Sequence, residues 1–438
     1  MKMRTGLLIF LSVAMADTAL GEVFVRLGSE FQINTYTTGR QEGAEVSSAS
    51  SGEFVVVWSD IGTSYPGFNG QDGSDSGVFG RRFSATGAPL GPEFQVNTYT
   101  TSTQGDAVVG SDATGGFVVV WTSGYPAQQD GDWGGVFGQR FSDDGLQFGD
   151  EFQVNSYTTG DQSSPDMVVA PTGEFVVVWD SEYQDGSYRS IFGQRFATNG
   201  SPEGDEFQVN TQTTDFQMEA SVSMDADRNF VVTWTDWSGQ DGSGSGIFAQ
   251  RFASDGDPIG AEFQVNSYTT HDQSGSEVTV GPAGDFIITW GGPGGSPGGH
   301  NMYGQLYDPA GIPVGDQFRI NAGTDVASYG GFGRIAGLKT GEFVAAWEGD
   351  DKKSGGISSR AFSENAMPLT DDFQVNTYTT GFQGVPSLSA GADGTIVIVW
   401  ESPHDGDVKG VFGRRLSLAQ FVDGFESGDT SAWSITIP

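Results

Sequence analysis

The sequence predicts an all-β protein, a seven-bladed β-propeller of four-stranded antiparallel blades. Three observations carry that prediction: a repeat that occurs seven times, strand-type patterning inside every copy, and no stretch with helical periodicity. The phrase "EFQVNTYTTG" recurs with its Phe at 31, 94, 152, 207, 263, 318 and 373. A second phrase, "GEFVVVW", sets Trp58, Trp121, Trp179, Trp234, Trp290, Trp347 and Trp400 at one phase, and a third, "GVFGQRF", supplies another aromatic strand. Sixty-seven glycines and only 17% charged residues argue in the same direction, against a helical protein.

Taken from the N-terminus, "MKMR" followed by "GLLIFLSVAMA" has the basic flank and short apolar run of a secretory signal peptide, expected over 1–21. Cleavage fits after Ala16 or after Gly21. The propeller is expected over 22–418. In the second copy, strand a is expected at about Glu93–Thr98, b at Ala107–Gly110, c at Gly116–Thr122 and d at Gly135–Ser142. "DATG" and "DDGLQFG" read as the intervening turns. A β-solenoid is the alternative, but its coils are shorter and need caps. "EVFVRLG" at 22–28 is a surplus, truncated copy of strand d, so two chain ends are expected to share one blade. In that arrangement either Val23–Leu27 or Val411–Leu416 takes the d position. "FVDGFESGDTSAWSITIP" breaks the repeat, and 419–438 is read as a tail that adds a strand or serves processing.

Phrases such as "GVFGQRFSDDGLQFGDEFQVN" at 135–155 resemble those of bacterial secreted β-propeller repeat proteins. The chain is also loosely similar to the FG-GAP repeats of integrin-like propellers, and that resemblance implies calcium held in Asp- and Gly-rich loops. Those loops use a D-x-D-x-D-G type arrangement, which this chain lacks.

A formal net charge of -36 repels nucleic acid and anionic lipid and attracts cations. The chain has no cysteine, so an exported form is held by its core or by ions. No second apolar run is long enough to insert in a membrane. The metal candidates are the Asp-Gly loops between c and d: Asp72 with Asp75, Asp130 with Asp132, Asp185, Asp241, and Asp405 with Asp407. One Asp with a Ser hydroxyl and carbonyls supplies part of a calcium shell. The competing reading is a tight turn in which Gly takes φ > 0 and Asp bonds its own backbone. Trp133 and Trp237 stand outside the repeat beside c–d loops and are the candidates for stacking on sugar. The recurring Arg of strand d, Arg140 among them, is expected to pair across the d–a hairpin with Glu151. "TYTTG" reads as an ordinary turn. His271, His300 and His404 fall at unrelated phases, and no nucleophile elbow, zinc motif or phosphate loop is present.

These features predict an exported, monomeric, non-enzymatic binding or adhesion scaffold, secreted, surface-bound or periplasmic. Its expected partner is an extracellular carbohydrate or protein, with calcium as the stabilising ion. The alternative is a propeller enzyme, hydrolase or lyase, acting on extracellular polysaccharide. A non-repeated acidic and aromatic cluster at one mouth of the channel distinguishes the second from the first.

Overall fold

Each repeat makes a twisted antiparallel sheet because its central phrase is a β-branched run that is apolar on both faces, a pattern stable only when both faces are covered. A computed structural model of the chain describes residues 22–62, 70–124, 129–294, 300–323, 333–349, 355–406, 408–422 and 434–436. The leader expected over 1–21 lies outside them. Seven sheets follow one another in a ring, and their innermost strands touch their neighbours all the way round, so the fold is a closed seven-bladed β-propeller. Closure of the last inner strand, Gly384–Ala390, against the first, Arg40–Ser48, rules out the solenoid.

Blade 2 shows the plan. Gln104–Ser111 is innermost, then Phe117–Ser123, Gly135–Phe141 and, outermost, Phe152–Gln153. The sequence order a-b-c-d is therefore shifted in space. The FQ phrase ends the preceding blade instead of starting its own, and it contributes only two ladder residues, Phe152 opposite Gly138 and Gln153 opposite Phe137. The inner strand is longer than expected and carries a bulge between Gly105 and Val108.

The repeated residues interlock blades. Phe152 leaves the edge of blade 2 and packs on Phe175 and Phe196 of blade 3, which stack on each other at 4.7 Å. Trp58, Trp121, Trp179, Trp234 and Trp400 are fully buried between sheets. Asn155 explains "FQVNTYTTG". Its Oδ1 accepts from Val136 N at 2.8 Å, and its Nδ2 donates to Tyr157 O at 2.8 Å and to Gln162 Oε1 at 3.2 Å. Gln162 in turn donates to Thr159 O. Similar clamps at Asn34, Asn97, Asn210 and Asn376 hold the a–b turn, so the Tyr and Thr of that phrase belong to a turn.

The expected Arg140–Glu151 pair does not form. With only two ladder residues, the outer strand leaves Glu151 beyond the hairpin pairing. Arg140 lies over Phe148 at 4.8 Å and donates to Thr198 O of the next blade at 3.0 Å. Glu151 accepts from Thr98 N, on the connection out of the previous blade, at 2.6 Å and from Gln129 Nε2 in the c–d loop of its own blade at 2.6 Å. Both are inter-blade struts, which leaves no ring of Arg for an anion.

The two ends of the chain share blade 7. Gly410–Val422 fills its third position, and Phe31–Gln32 supplies the outer edge that every other blade draws from the following phrase. The surplus Glu22–Arg26 pairs with the continuation Leu416–Gln420, and Ser434–Thr436 pairs with Gln420–Val422. Among the described residues no helix is long and apolar enough to cross a membrane.

Candidate functional site: the channel and its mouth

The inner strands surround a cavity of about 290 Å³ on the axis of the ring. Its wall runs along the inner strands towards the b–c turns, with Ser223, Thr279, Ala336 and Ser389 at the farther level, and begins at one position per blade, thirteen residues before each repeat tryptophan: Glu45, Val108, Asp166, Ser221, Glu277, Arg334 and Ser387. The register confirms the equivalence. Glu45 stands opposite Val57, Asp166 opposite Val178, Glu277 opposite Thr289 and Arg334 opposite Ala346, each just before its tryptophan. Because strand geometry is the same in every blade, seven side chains converge at one level, and here they do not repeat.

Three carboxylates meet one guanidinium at that level. Arg334 Nη2 lies 2.8 Å from Glu45 Oε1, and Arg334 Nη1 pairs with Glu277 Oε1. Ser387 Oγ donates to Glu45 Oε2 at 2.6 Å, Ser221 Oγ to Glu277 Oε2 at 3.3 Å, and Val222 N to Asp166 Oδ2 at 2.8 Å. Burial pushes Glu277 up to about 7 and Asp166 up to about 6, against the pull of Arg334. One positive charge faces three carboxyl groups in a desolvated ring, which favours the protonated form of Asp166 and Glu277. The Arg334 side chain is 33% and the Glu277 side chain 16% exposed, which places both within reach of channel solvent.

Nearer the c–d loops the wall is again acidic. The bulge residues Asp106, Ser164, Glu219 and Val385 hold positive φ of 50, 54, 61 and 50°, where Gly43 and Gly275 serve in other blades. Beside them, one residue after the tryptophan, stand Asp180, Glu348 and Glu401. Lys409 Nζ lies 2.7 Å from Glu401 Oε2 and 3.1 Å from Glu42 Oε1, while burial and then Glu401 push Glu348 up to about 7. Arg189 lies 2.6 Å from Asp161, 3.3 Å from Glu182 and 4.0 Å from Asp180. Asp180 is wholly buried and is pushed up to about 8 by that burial.

The same mouth carries aromatic rings. Trp133 and Trp237, the two chosen from the sequence, are 57% and 42% exposed, and with them stand Tyr183, Tyr188 and Phe216. The Tyr188 and Phe216 rings stack at 5.0 Å.

The Asp-Gly loops are turns of one design in separate blades. Ser74 N donates to Asp72 Oδ1 at 2.8 Å, Asp132 N to Asp130 Oδ1 at 3.2 Å, Ser187 N to Asp185 Oδ1 at 2.8 Å and Ser243 N to Asp241 Oδ1 at 3.0 Å. Gly73, Gly131, Gly186, Gly242 and Gly406 have φ between 87 and 99°. Asp132 Oδ2 accepts from Gly160 N at 3.1 Å. Asp75 adjoins Asp72 and raises it further above its ordinary value, after burial. Asp405 closes a short 3-10 turn, Pro403–Asp405, and Asp407 lies outside the described residues. Among the described residues no three His, Cys, Asp or Glu converge as a metal site.

No protein-family model and no curated protein matches the chain. Among solved structures it is similar to a polysaccharide lyase, an ulvan lyase bound to -[GlcA(1-4)Rha3S]-. The identity is 10% over 90% of this chain and 96% of that one, with a TM-score of 0.53. It is also similar to a protein of unknown function from Dyadobacter fermentans, at 10% identity over 91% and 99% of the two chains and a TM-score of 0.49. An α-L-arabinofuranosidase of Fusarium graminearum gives 14% identity over 70% and 91%, with a TM-score of 0.46. At such identities the likeness shows the propeller fold. The expectation of a non-enzymatic scaffold is corrected here: the neighbour with a TM-score of 0.53 is a polysaccharide lyase, and the acidic and aromatic mouth set as the mark of the alternative is present.

The sequence reading missed Glu45, Asp166, Glu277 and Arg334. The signal was available: aligning the repeats on their tryptophans and reading the column thirteen residues upstream exposes the one inner-strand position where acids and an Arg replace the repeat.

Proposed function

We propose that this protein is an exported enzyme that cleaves glycosidic bonds of a neutral polysaccharide by carboxylate acid–base chemistry in its channel. The observation that carries the reading is the unrepeated cluster of Glu45, Asp166 and Glu277 around Arg334 in a polar cavity on the propeller axis, where burial holds Asp166 and Glu277 above the ordinary carboxylate range. Glycoside hydrolysis needs one carboxyl that is protonated to release the leaving oxygen and one that is ionised to activate water or to attack. Glu277, the higher of the two, donates the proton to the glycosidic oxygen; Asp166 serves as the ionised partner. Arg334 stabilises whichever carboxylate is charged and orients Glu45 and Glu277.

A neutral substrate follows from charge. Among the described residues, Arg40, Arg189, Arg334 and Lys409 are all engaged by carboxylates, and the chain carries -36 overall, so uronate or sulfate groups would meet repulsion there. Carbohydrate as the substrate class is supported by the neighbours, one of which is a polysaccharide lyase.

The test is incubation of the mature chain with arabinan, galactomannan and mixed-linkage glucan, and with ulvan and alginate as anionic polymers. New reducing ends and the ultraviolet absorbance of unsaturated uronate are both followed. Reducing ends from a neutral polymer, with no absorbance gain, are expected. Absorbance gained on an anionic polymer would mean a lyase, and no product from any polymer would remove the enzyme reading.

A further inference from the structure

We propose that the aromatic strip over blades 2 to 4 is the docking platform that holds a neutral glycan chain across the channel mouth, with the stacked Tyr188–Phe216 pair at its centre. The inference rests on the polysaccharide-cleaving reading and adds where the polymer is gripped.

The strip is continuous from blade to blade. Trp133 ends the c–d loop of blade 2, and its neighbour Gly134 bridges to Asp161 of blade 3. Gly160, next to Asp161, packs on Glu182 and Tyr183, with a Cβ there falling 3.6 Å from the Tyr183 ring. Tyr183 N donates to Tyr188 O at 3.2 Å across one hairpin loop. Tyr188 stacks on Phe216 of blade 4 at 5.0 Å and 17°, and Phe216 O accepts from Trp237 N at 2.8 Å. Trp133 and Tyr188 occupy the same place in successive blades, just before the residue that bridges to the next inner strand, so two rings are offered at the spacing of the blades.

These rings are departures from the repeat. Phe216 stands where Arg40, Thr103, Asp161 and Asp272 stand in four other blades and where Phe382 stands in blade 7, and Tyr188 where Asp75, Gly244 and Val408 stand; among the described residues, only in blades 3 and 4 do the two positions bring a pair of stacked rings together. Trp133, Tyr183 and Tyr188 are all more than half exposed, so the strip presents apolar ring surface to water.

The chemistry beside the rings selects sugar. Asp161, Ser163 and Glu182 present oxygens for ring hydroxyls, while Arg189 among them is bound by Asp161, Ser163 and Glu182. Pyranose and furanose rings offer C–H faces to aromatic rings and hydroxyl edges to carboxylates. An acidic rim of this kind disfavours uronate and sulfate. A protein partner would need a wide surface depleted of charge at its centre, whereas here carboxylates adjoin the rings.

The experiment is affinity electrophoresis of the full mature chain in gels containing galactomannan, arabinan or mixed-linkage glucan, with ulvan as the anionic control. Compared are wild type, Tyr188→Ala, Trp237→Ala, the double variant and Leu146→Ala, an exposed change on a d–a hairpin away from the strip. Melting curves confirm equal folding. Retardation of the wild type by at least one neutral polymer is expected. The double variant should lose about tenfold or more in apparent affinity and show a raised KM with kcat retained, while Leu146→Ala matches the wild type. Unchanged retardation and KM in the double variant would overturn the platform while leaving the enzyme reading intact. Retardation that needs Tyr188 and Trp237, with no turnover on any polymer, would sink the enzyme reading and keep the platform. No retardation by any neutral polymer, retardation by ulvan alone, or a wild-type dimer that Tyr188→Ala dissociates would each overturn it.

Discussion

Blade against blade, the outer and middle strands are nearly the same residues seven times over, while the inner strands and the c–d loops of particular blades are not. Phe152, Trp179 and Asn155 have counterparts around the ring with the same partners. Arg334 has none, and the acids at its level, Glu45, Asp166 and Glu277, occupy three blades of the seven. The difference separates two kinds of work. Residues that fasten one blade to the next meet the same neighbour at every step, so one solution serves throughout. Residues facing the axis meet each other, and a site there requires that the symmetry be broken.

The contrast is broken most directly by truncating its repeated side. Trp179→Ala should cost about 3–5 kcal/mol of stability through the cavity it leaves, with kcat per folded molecule unchanged. Denaturant melts alongside turnover check this, and a change in kcat at equal folding would blur the division. Next comes the axis. Arg334→Met leaves three carboxylates facing one another and should destabilise by up to about 3 kcal/mol at pH 8, less at pH 5 where they protonate. A pH-independent loss would mean that the ring is held by packing alone.

Asn155→Ala removes two donors and one acceptor from a clamp buried in the a–b turn, and about 1–3 kcal/mol is expected at every pH. Asp180 sharpens the pH contrast. Its folded pKa of about 8 lies above the unfolded value, so the stability it contributes is full below about pH 4 and is lost as pH rises through 8. Asp180→Asn should therefore melt with the wild type below about pH 4 and several degrees above it at pH 9; coincident melts at both would refute the raised value. The smallest effect is at the Asp-Gly loops. With Asp72, Asp130, Asp185 and Asp241 each spending an oxygen on its own turn, millimolar calcium should leave the melting temperature unchanged, and a rise that magnesium fails to reproduce would make them ligands.

How far the sequence could be read follows the same line. Seven blades were legible because Trp and Phe recur wherever blades interlock. The phase was not, since a repeat gives its period without its starting point, and the FQ phrase could belong to either of two adjoining sheets. Arg140 was assigned to Glu151 by alternation along a strand, but a two-residue outer strand carries no alternation to that point. At the mouth, Trp133 and Trp237 stood out as aromatics beyond the pattern. Tyr188 and Phe216 did not, because their contact joins adjacent blades and neither residue hints at the other. The channel acids were passed over, because neither their type nor their spacing marks them until the repeats are aligned on their tryptophans and one column is seen to face the axis.

The most direct test measures turnover and melting on one preparation of Glu277→Gln. An amide there keeps the shape of the ring and removes the proton donor, so kcat on the neutral polymer should fall roughly a hundred- to ten-thousand-fold while the melting temperature at pH 7 holds or rises. The wild-type kcat/KM should decline as pH rises through about 7, as Glu277 loses its proton. Wild-type turnover in Glu277→Gln, or a profile flat across that range, would contradict a catalytic channel.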